Sequence, residues 1–202
     1  MTNGDAYRQH TLDVLREATA NVLSSSETLG GDDSTEDLRD RAREAALRLL
    51  SVRDRSTNEL SRRLLDKGFP LEIVDDLITR FVDIKLLDDE RFAYEWVNSR
   101  ARHSARGKSV LRQELRYKGV PSNIIETVLE SLPSDIEEDS ARMLLSRKLR
   151  SIDPTSLNDR ETYRKQQRRL YNMLARRGFS SELAQRLTCE TLTEHRGDFS
   201  TE

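Results

Sequence analysis

The sequence predicts an all-α protein made of three tandem three-helix repeats in an elongated, curved arrangement. Three observations lead there. A heptapeptide of helix-end character occurs three times: Leu64-Leu65-Asp66-Lys67-Gly68-Phe69-Pro70, Leu115-Arg116-Tyr117-Lys118-Gly119-Val120-Pro121 and, more worn, Leu174-Ala175-Arg176-Arg177-Gly178-Phe179-Ser180. Apolar residues flank each copy at helical spacing. The 202 residues are 35% hydrophobic and 35% charged, too polar for one large core and suited to several small ones in a row.

The three glycines lie 51 and 59 residues apart, and self-similarity on this scale marks stacked copies of one supersecondary unit. Alignment on the glycine places Leu60, Leu111 and Leu170 eight residues before it and Leu64, Leu115 and Leu174 four before it. After it come Ile73, Ile124 and Leu183 at five, Val74, Ile125 and Ala184 at six, and Leu77, Val128 and Leu187 at nine. These steps are helical on both sides, so each glycine is a turn between two helices. Glycine takes the left-handed conformation that ends a helix, and the Lys or Arg before it suits a helix C-terminus. Pro70 and Pro121 fit the first turn of the following helix, where a missing N–H costs little.

A further helix precedes each pair. The first carries Leu38, Ala42, Ala45, Ala46, Leu49 and Leu50 on one face. The second opens at Asp88, a good N-cap, and carries Phe92, Ala93, Trp96 and Val97. The third opens with Ser134-Asp135-Ile136-Glu137, which reads as a capping box, and carries Ala141, Leu144, Leu145 and Leu149. Another capping box, Ser56-Thr57-Asn58-Glu59, starts the middle helix of the first repeat. Nine helices follow, in repeats bounded at 36–83, 84–132 and 133–194. The third is longer because residues 152–159 extend the loop between its first two helices. Residues 1–35 hold six carboxylates against two arginines and read as an acidic, mostly disordered tail, with a weak helical pattern at Leu12, Leu15, Ala18 and Val22. Residues 195–202 read as a C-terminal tail.

The chain offers little for catalysis. Gly107-Lys108-Ser109 resembles the end of a phosphate-binding loop, but that motif needs a glycine five residues earlier, where Arg102 stands, and a preceding strand. Gly107 is read instead as a helix start, breaking the chain away from the Trp96 helix. His10, His103 and His195 have no partners at ligand spacing, and Cys189 is the one cysteine, so no metal, cofactor or disulfide is expected. No run is long enough to cross a membrane and no secretory leader is visible, which leads to the expectation of a soluble, cytoplasmic monomer that is not an enzyme.

The informative chemistry is charge. The whole chain is nearly balanced, at −2, but the cations are clustered. From Arg91 to Lys118 there are eight (Arg91, Arg100, Arg102, Arg106, Lys108, Arg112, Arg116 and Lys118) against Glu95 and Glu114. Lys108, Arg112 and Arg116 are four apart and share one helix face. From Arg142 to Arg177 there are eleven against Asp153, Asp159 and Glu161, with Arg164, Lys165, Arg168 and Arg169 close together. Such stripes follow a phosphate backbone or an acidic protein groove. Tyr117, Tyr163 and Tyr171 lie among them.

The middle repeat carries a family resemblance. Leu86-Leu87-Asp88-Asp89, Arg91-Phe92-Ala93, Ser99-Arg100, Gly107-Lys108, Glu114-Leu115 and Lys118-Gly119-Val120 resemble the RecX family of bacterial regulatory proteins, over residues from about 40 to about 190. The resemblance implies tandem three-helix repeats. It also implies binding in the groove of the RecA–DNA filament, with inhibition of its ATPase, strand exchange and co-protease activities. Arg91, Arg100, Lys108 and Lys118 carry over as candidate contacts, joined on charge by Arg102, Arg112, Arg116, Arg164, Lys165, Arg168 and Arg169. Asp88, Phe92, Leu115 and Gly119 read as structural. Two other functions fit the same charge pattern: a module that binds single- or double-stranded DNA directly, and a helical adaptor for another protein. The slightly acidic total argues against strong independent DNA binding.

Overall fold

The computed structural model describes residues 35–197. Among them are nine α-helices and no strand: α1 (Glu36–Val52), α2 (Thr57–Leu65), α3 (Leu71–Asp83), α4 (Asp89–Ser104), α5 (Lys108–Tyr117), α6 (Ser122–Ser131), α7 (Ser134–Leu149), α8 (Arg160–Arg176) and α9 (Ser181–Gly197), with a 3-10 turn at Pro154–Asn158. The acidic N-terminal segment, with its weak helical pattern, lies outside the described residues. Of the stretch read as a C-terminal tail, residues 195–197 complete α9 and the rest lies outside.

Most of the repeat positions read from the sequence are the core, with Ile124 and Leu183 half-buried at its edge. Leu60, Leu111 and Leu170 are fully buried, as are Leu64, Leu115 and Leu174, and Val74, Ile125 and Ala184. Gly68, Gly119 and Gly178 all have positive φ, at 88°, 74° and 90°. At Gly68 the glycine N–H reaches the Leu65 carbonyl (2.8 Å) and the next N–H reaches that of Leu64 (3.3 Å). Gly178 and Phe179 repeat this on Ala175 (3.0 Å) and Leu174 (3.3 Å). Both are Schellman closures, which satisfy carbonyls the helix end leaves open. Pro70 and Pro121 are the N-cap residues of α3 and α6. Ser180 holds the equivalent place before α9, and its hydroxyl accepts the Leu183 N–H at 3.2 Å.

The described residues group into two compact units. The first gathers residues up to 92 together with 118–120; the second gathers 93–117 and those from 121 on. In the first, Ala42, Ala46, Leu47 and Leu50 of α1 meet Leu60 and Leu64 of α2, the apolar face of α3 from Ile73 to Phe81, and Leu86 and Leu87. In the second, Ala141, Leu145 and Leu149 of α7 join Leu170 and Leu174 of α8 and Ala184, Leu187 and Leu192 of α9. The extended loop of the third repeat is not idle: its 3-10 turn drives Leu157 fully into this core, with Asp153 capping the turn by accepting from the Thr155 N–H at 3.0 Å.

Three local expectations need correction. Gly107 does stand at a helix start, directly before α5, but it does not end α4; Ala105 does, at φ 45°. Gly107 is glycine because backbone passes directly over it: a Cβ there would fall under 3.0 Å from the carbonyl carbon and oxygen of Gly178 and from the Phe179 nitrogen. Two hydrogen bonds use that closeness, Gly107 N–H to Arg177 O (2.9 Å) and Ser109 N–H to Gly178 O (3.1 Å). The Ser134 capping box does not form either. Pro133 is the N-cap of α7, and Glu137 instead accepts the Lys108 N–H at 3.2 Å. The Ser56 box is half formed: Ser56 Oγ accepts the Glu59 N–H at 3.1 Å, while the Glu59 carboxylate is drawn away to Arg53, Arg55 and Lys118.

Candidate partner-binding surface

One arrangement appears in both units and fixes where several of the expected site residues lie. In the first unit, the N-terminus of α2 is capped from a distance. Asp89 accepts the Thr57 N–H at 2.8 Å, and Ser56 Oγ donates to the Lys118 carbonyl. In the second, Glu137 and the Arg177 carbonyl do the same for the N-terminus of α5, at Lys108 and Gly107. Counted from the repeat glycine, Ser56 matches Gly107, Thr57 matches Lys108 and Lys118 matches Arg177. An acidic residue near the start of the next repeat's first helix thus satisfies an orphan N–H and favours the positive end of the helix. Burial pushes the Asp89 carboxyl up, against the hydrogen bond from the Thr57 N–H. Sequence reasoning missed this pairing. Thr57 and Asp89 are 32 residues apart whereas Lys108 and Glu137 are 29 apart, so no fixed spacing connects them.

The expected contact residues separate into held and exposed. Lys118 is largely withdrawn, with its side chain 14% exposed, its Nζ 3.2 Å from Glu59 Oε2 and 5.7 Å from the centre of the Phe92 ring. Burial pushes Glu59 up, but hydrogen bonds from Arg53 and Lys118 outweigh it and bring its pKa down to about 2. Arg100 lies over the Trp96 ring at 4.7 Å and sits 3.3 Å from Glu114, which also accepts the Trp96 indole N–H at 2.9 Å. Arg112 grips Glu126 through two parallel bonds of 2.7 and 2.8 Å, which hold the Glu126 carboxyl below its usual range. Arg91 and Lys108 are half-buried.

Arg102, Arg116, Arg164, Lys165, Arg168 and Arg169 are exposed. No ion pair with a carboxylate among the described residues holds any of these six. Four of them crowd one stretch of α8, and Arg102 and Arg116 stand on α4 and α5. The stripe Lys108, Arg112 and Arg116 is therefore less uniform than its spacing suggests, since Arg112 is neutralised by Glu126. Among the described residues no group of three or more His, Cys, Asp or Glu could hold a metal ion, and no helix is long and apolar enough to cross a membrane.

Family models of the three-helix domains of RecX match the chain in order: the first domain over residues 42–81, the second over 88–129 and the third over 135–187. The chain belongs to the RecX family. Among its curated relatives, the Regulatory protein RecX of Mycolicibacterium vanbaalenii is 37% identical over 161 residues, spanning 80% of this chain and 87% of the relative. That of Streptomyces coelicolor is 38% identical over 167 residues, spanning 79% and 85%. The crystal structure of RecX from Lactobacillus salivarius superposes with a TM-score of 0.67 at 21% identity, covering 82% of this chain and all of the other. A second RecX crystal structure gives 0.60 at 22% identity, covering 87% and 85%. Both share the fold. The relatives are named as regulatory proteins, which places this RecX-family chain among regulators.

Proposed function

We propose that this chain is a non-enzymatic regulator that binds RecA–DNA filaments in the filament groove and inhibits their ATPase, strand-exchange and co-protease activities. The observation that carries the reading is membership of the RecX family over four fifths of the chain, at 37–38% identity to proteins named as regulators. The charge pattern supports it. Exposed cations stand on α4, α5 and α8, so a polymer partner can be engaged at more than one place, and weak contacts add through multivalency. A blocker needs only a higher affinity for one filament state than another, and no chemistry of its own. Arg102, Arg116, Arg164, Lys165, Arg168 and Arg169 are the proposed direct contacts. Arg100 and Arg112 contribute while anchored by Glu114 and Glu126, with Arg91, Lys108 and Lys118 at the margins.

The test is DNA-dependent ATP hydrolysis by RecA with this protein added below one molecule per RecA protomer. The expected result is a progressive fall in rate, and an unchanged rate rejects the reading. The exposed run on α8 favours one alternative, direct binding of DNA. That would appear in a gel-shift titration without RecA, with affinity falling steeply between two salt concentrations.

A further inference from the structure

Between α8 and α9 of the second unit lies a groove of about 300 Å³, lined by Arg164, Gln167, Arg168, Tyr171, Gln185 and Thr188. Residues 164, 168 and 171 follow one face of α8, since positions three and four apart are neighbours on a helix. The two guanidiniums are one turn apart, exposed and held by no carboxylate among the described residues.

The α9 wall supplies an unusual group. Thr188 is fully buried, and its hydroxyl has no hydrogen-bond partner. A threonine inside a helix ordinarily donates to the carbonyl four residues back. Its neighbours do so: Thr191 Oγ1 bonds Leu187 O at 2.6 Å and Thr193 Oγ1 bonds Cys189 O at 2.8 Å. Thr188 leaves that bond unmade and lines the groove instead. A buried hydroxyl left unsatisfied is costly, and an occupant able to pair with it removes the cost. Across from it, the Gln167 amide donates to Cys189 Sγ at 2.9 Å, which fixes the amide and leaves its carbonyl able to accept.

We propose that this groove binds one nucleoside monophosphate unit. Arg164 and Arg168 hold the phosphate, the Tyr171 ring stacks on the base, and Gln185 with the Thr188 hydroxyl pairs with polar atoms of the sugar or base edge. The volume lies at the low end for ligand pockets, roughly 300–1,000 Å³, which admits a single nucleotide unit. An acidic peptide can also use the arginines and the polar groups, but a base stacks on the Tyr171 ring while its phosphate meets the arginines, and that pairing favours a nucleotide. The unit can be a free nucleotide or one residue of a single strand. This assignment does not depend on the filament reading, because it is tested without RecA.

The experiment is calorimetric titration of the full chain with thymidine 5′-monophosphate, thymidine, inorganic phosphate, a short oligothymidylate and an acidic peptide. Thymidine monophosphate should bind more tightly than either of its halves and than the peptide. Thr188→Val keeps the shape and removes only the hydroxyl. It should weaken binding about tenfold, as loss of one hydrogen bond to a polar ligand does, with thermal stability unchanged or raised. Gln185→Ala, on an exposed residue, gives the same readout if the valine variant folds poorly. Arg168→Ala should weaken the monophosphate and phosphate alike. An oligothymidylate that binds more tightly than the monophosphate identifies a single strand as the source; a weaker one identifies free nucleotide. Equal binding of phosphate or of the acidic peptide overturns the assignment, as does no binding of the monophosphate at millimolar concentration.

Discussion

Replacing Gly107 by alanine should selectively break the second unit. The added Cβ would lie under 3.0 Å from three backbone atoms of Gly178 and Phe179, none of which can rotate out of the way as a side-chain tip can. Overpacking alone costs about 1–3 kcal/mol. Moving the two stretches of backbone apart also loses the Gly107–Arg177 and Ser109–Gly178 hydrogen bonds, each worth about 1 kcal/mol. The smaller conformational freedom of alanine in the unfolded chain returns about 0.4–1 kcal/mol. The net expectation is a loss of about 3 kcal/mol, read as a lowered urea midpoint. Two other glycines calibrate it. Gly68 has nothing within 4 Å of the place a Cβ would take but has φ of 88°, so Gly68→Ala should cost only the left-handed penalty, about 1–2 kcal/mol. Gly197, in the last turn of α9 with open space around it, should tolerate alanine or gain slightly. A Gly107→Ala protein within about 0.5 kcal/mol of the parent, the ordinary range for surface substitutions, would refute the close-approach argument.

Other outcomes follow from the same geometry. Glu59 and Glu138 are both held at a pKa of about 2, Glu59 by the hydrogen bonds that outweigh its burial and Glu138 chiefly by hydrogen bonds from Arg186 and Arg142. Their folded values lie below the unfolded 4.5, so the stability they contribute is present above that value and is lost as pH falls toward about 2. Asp89 works the other way, its burial favouring the protonated form. Urea midpoints should therefore drop between pH 5 and pH 2, and Glu59→Gln should flatten the part of that drop that reports the first unit. Glu137→Ala, which uncaps α5, should cost about 1 kcal/mol, whereas Ser134→Ala should cost next to nothing; equal losses in thermal melts would restore the capping box. Lys118→Ala should destabilise the first unit by about 1–2 kcal/mol through its bond to the Glu59 carboxylate. Arg102→Glu with Arg116→Glu should leave the melting temperature unchanged and raise the amount of protein needed to slow RecA ATP hydrolysis; unchanged inhibition would remove those two residues from the contact surface.

By itself the sequence determined the helices, the turns between them and the buried positions. Those depend on local rules, helical spacing and the backbone freedom of glycine, and the rules repeat visibly at Leu60, Leu111 and Leu170 and at the three positive-φ glycines. It also showed where cations cluster. Tertiary structure decided which cations are available, because a charge is neutralised by whatever folding brings beside it: Glu126 for Arg112, Glu114 for Arg100, Glu59 for Lys118. It decided why Gly107 is glycine, since the crowding atoms lie about seventy residues further on. It decided how two helix N-termini are capped, at Thr57 by Asp89 and at Lys108 by Glu137. And it decided that Thr188, one of several hydroxyls in an ordinary-looking helix, is the buried one left without a partner at the edge of a cationic groove.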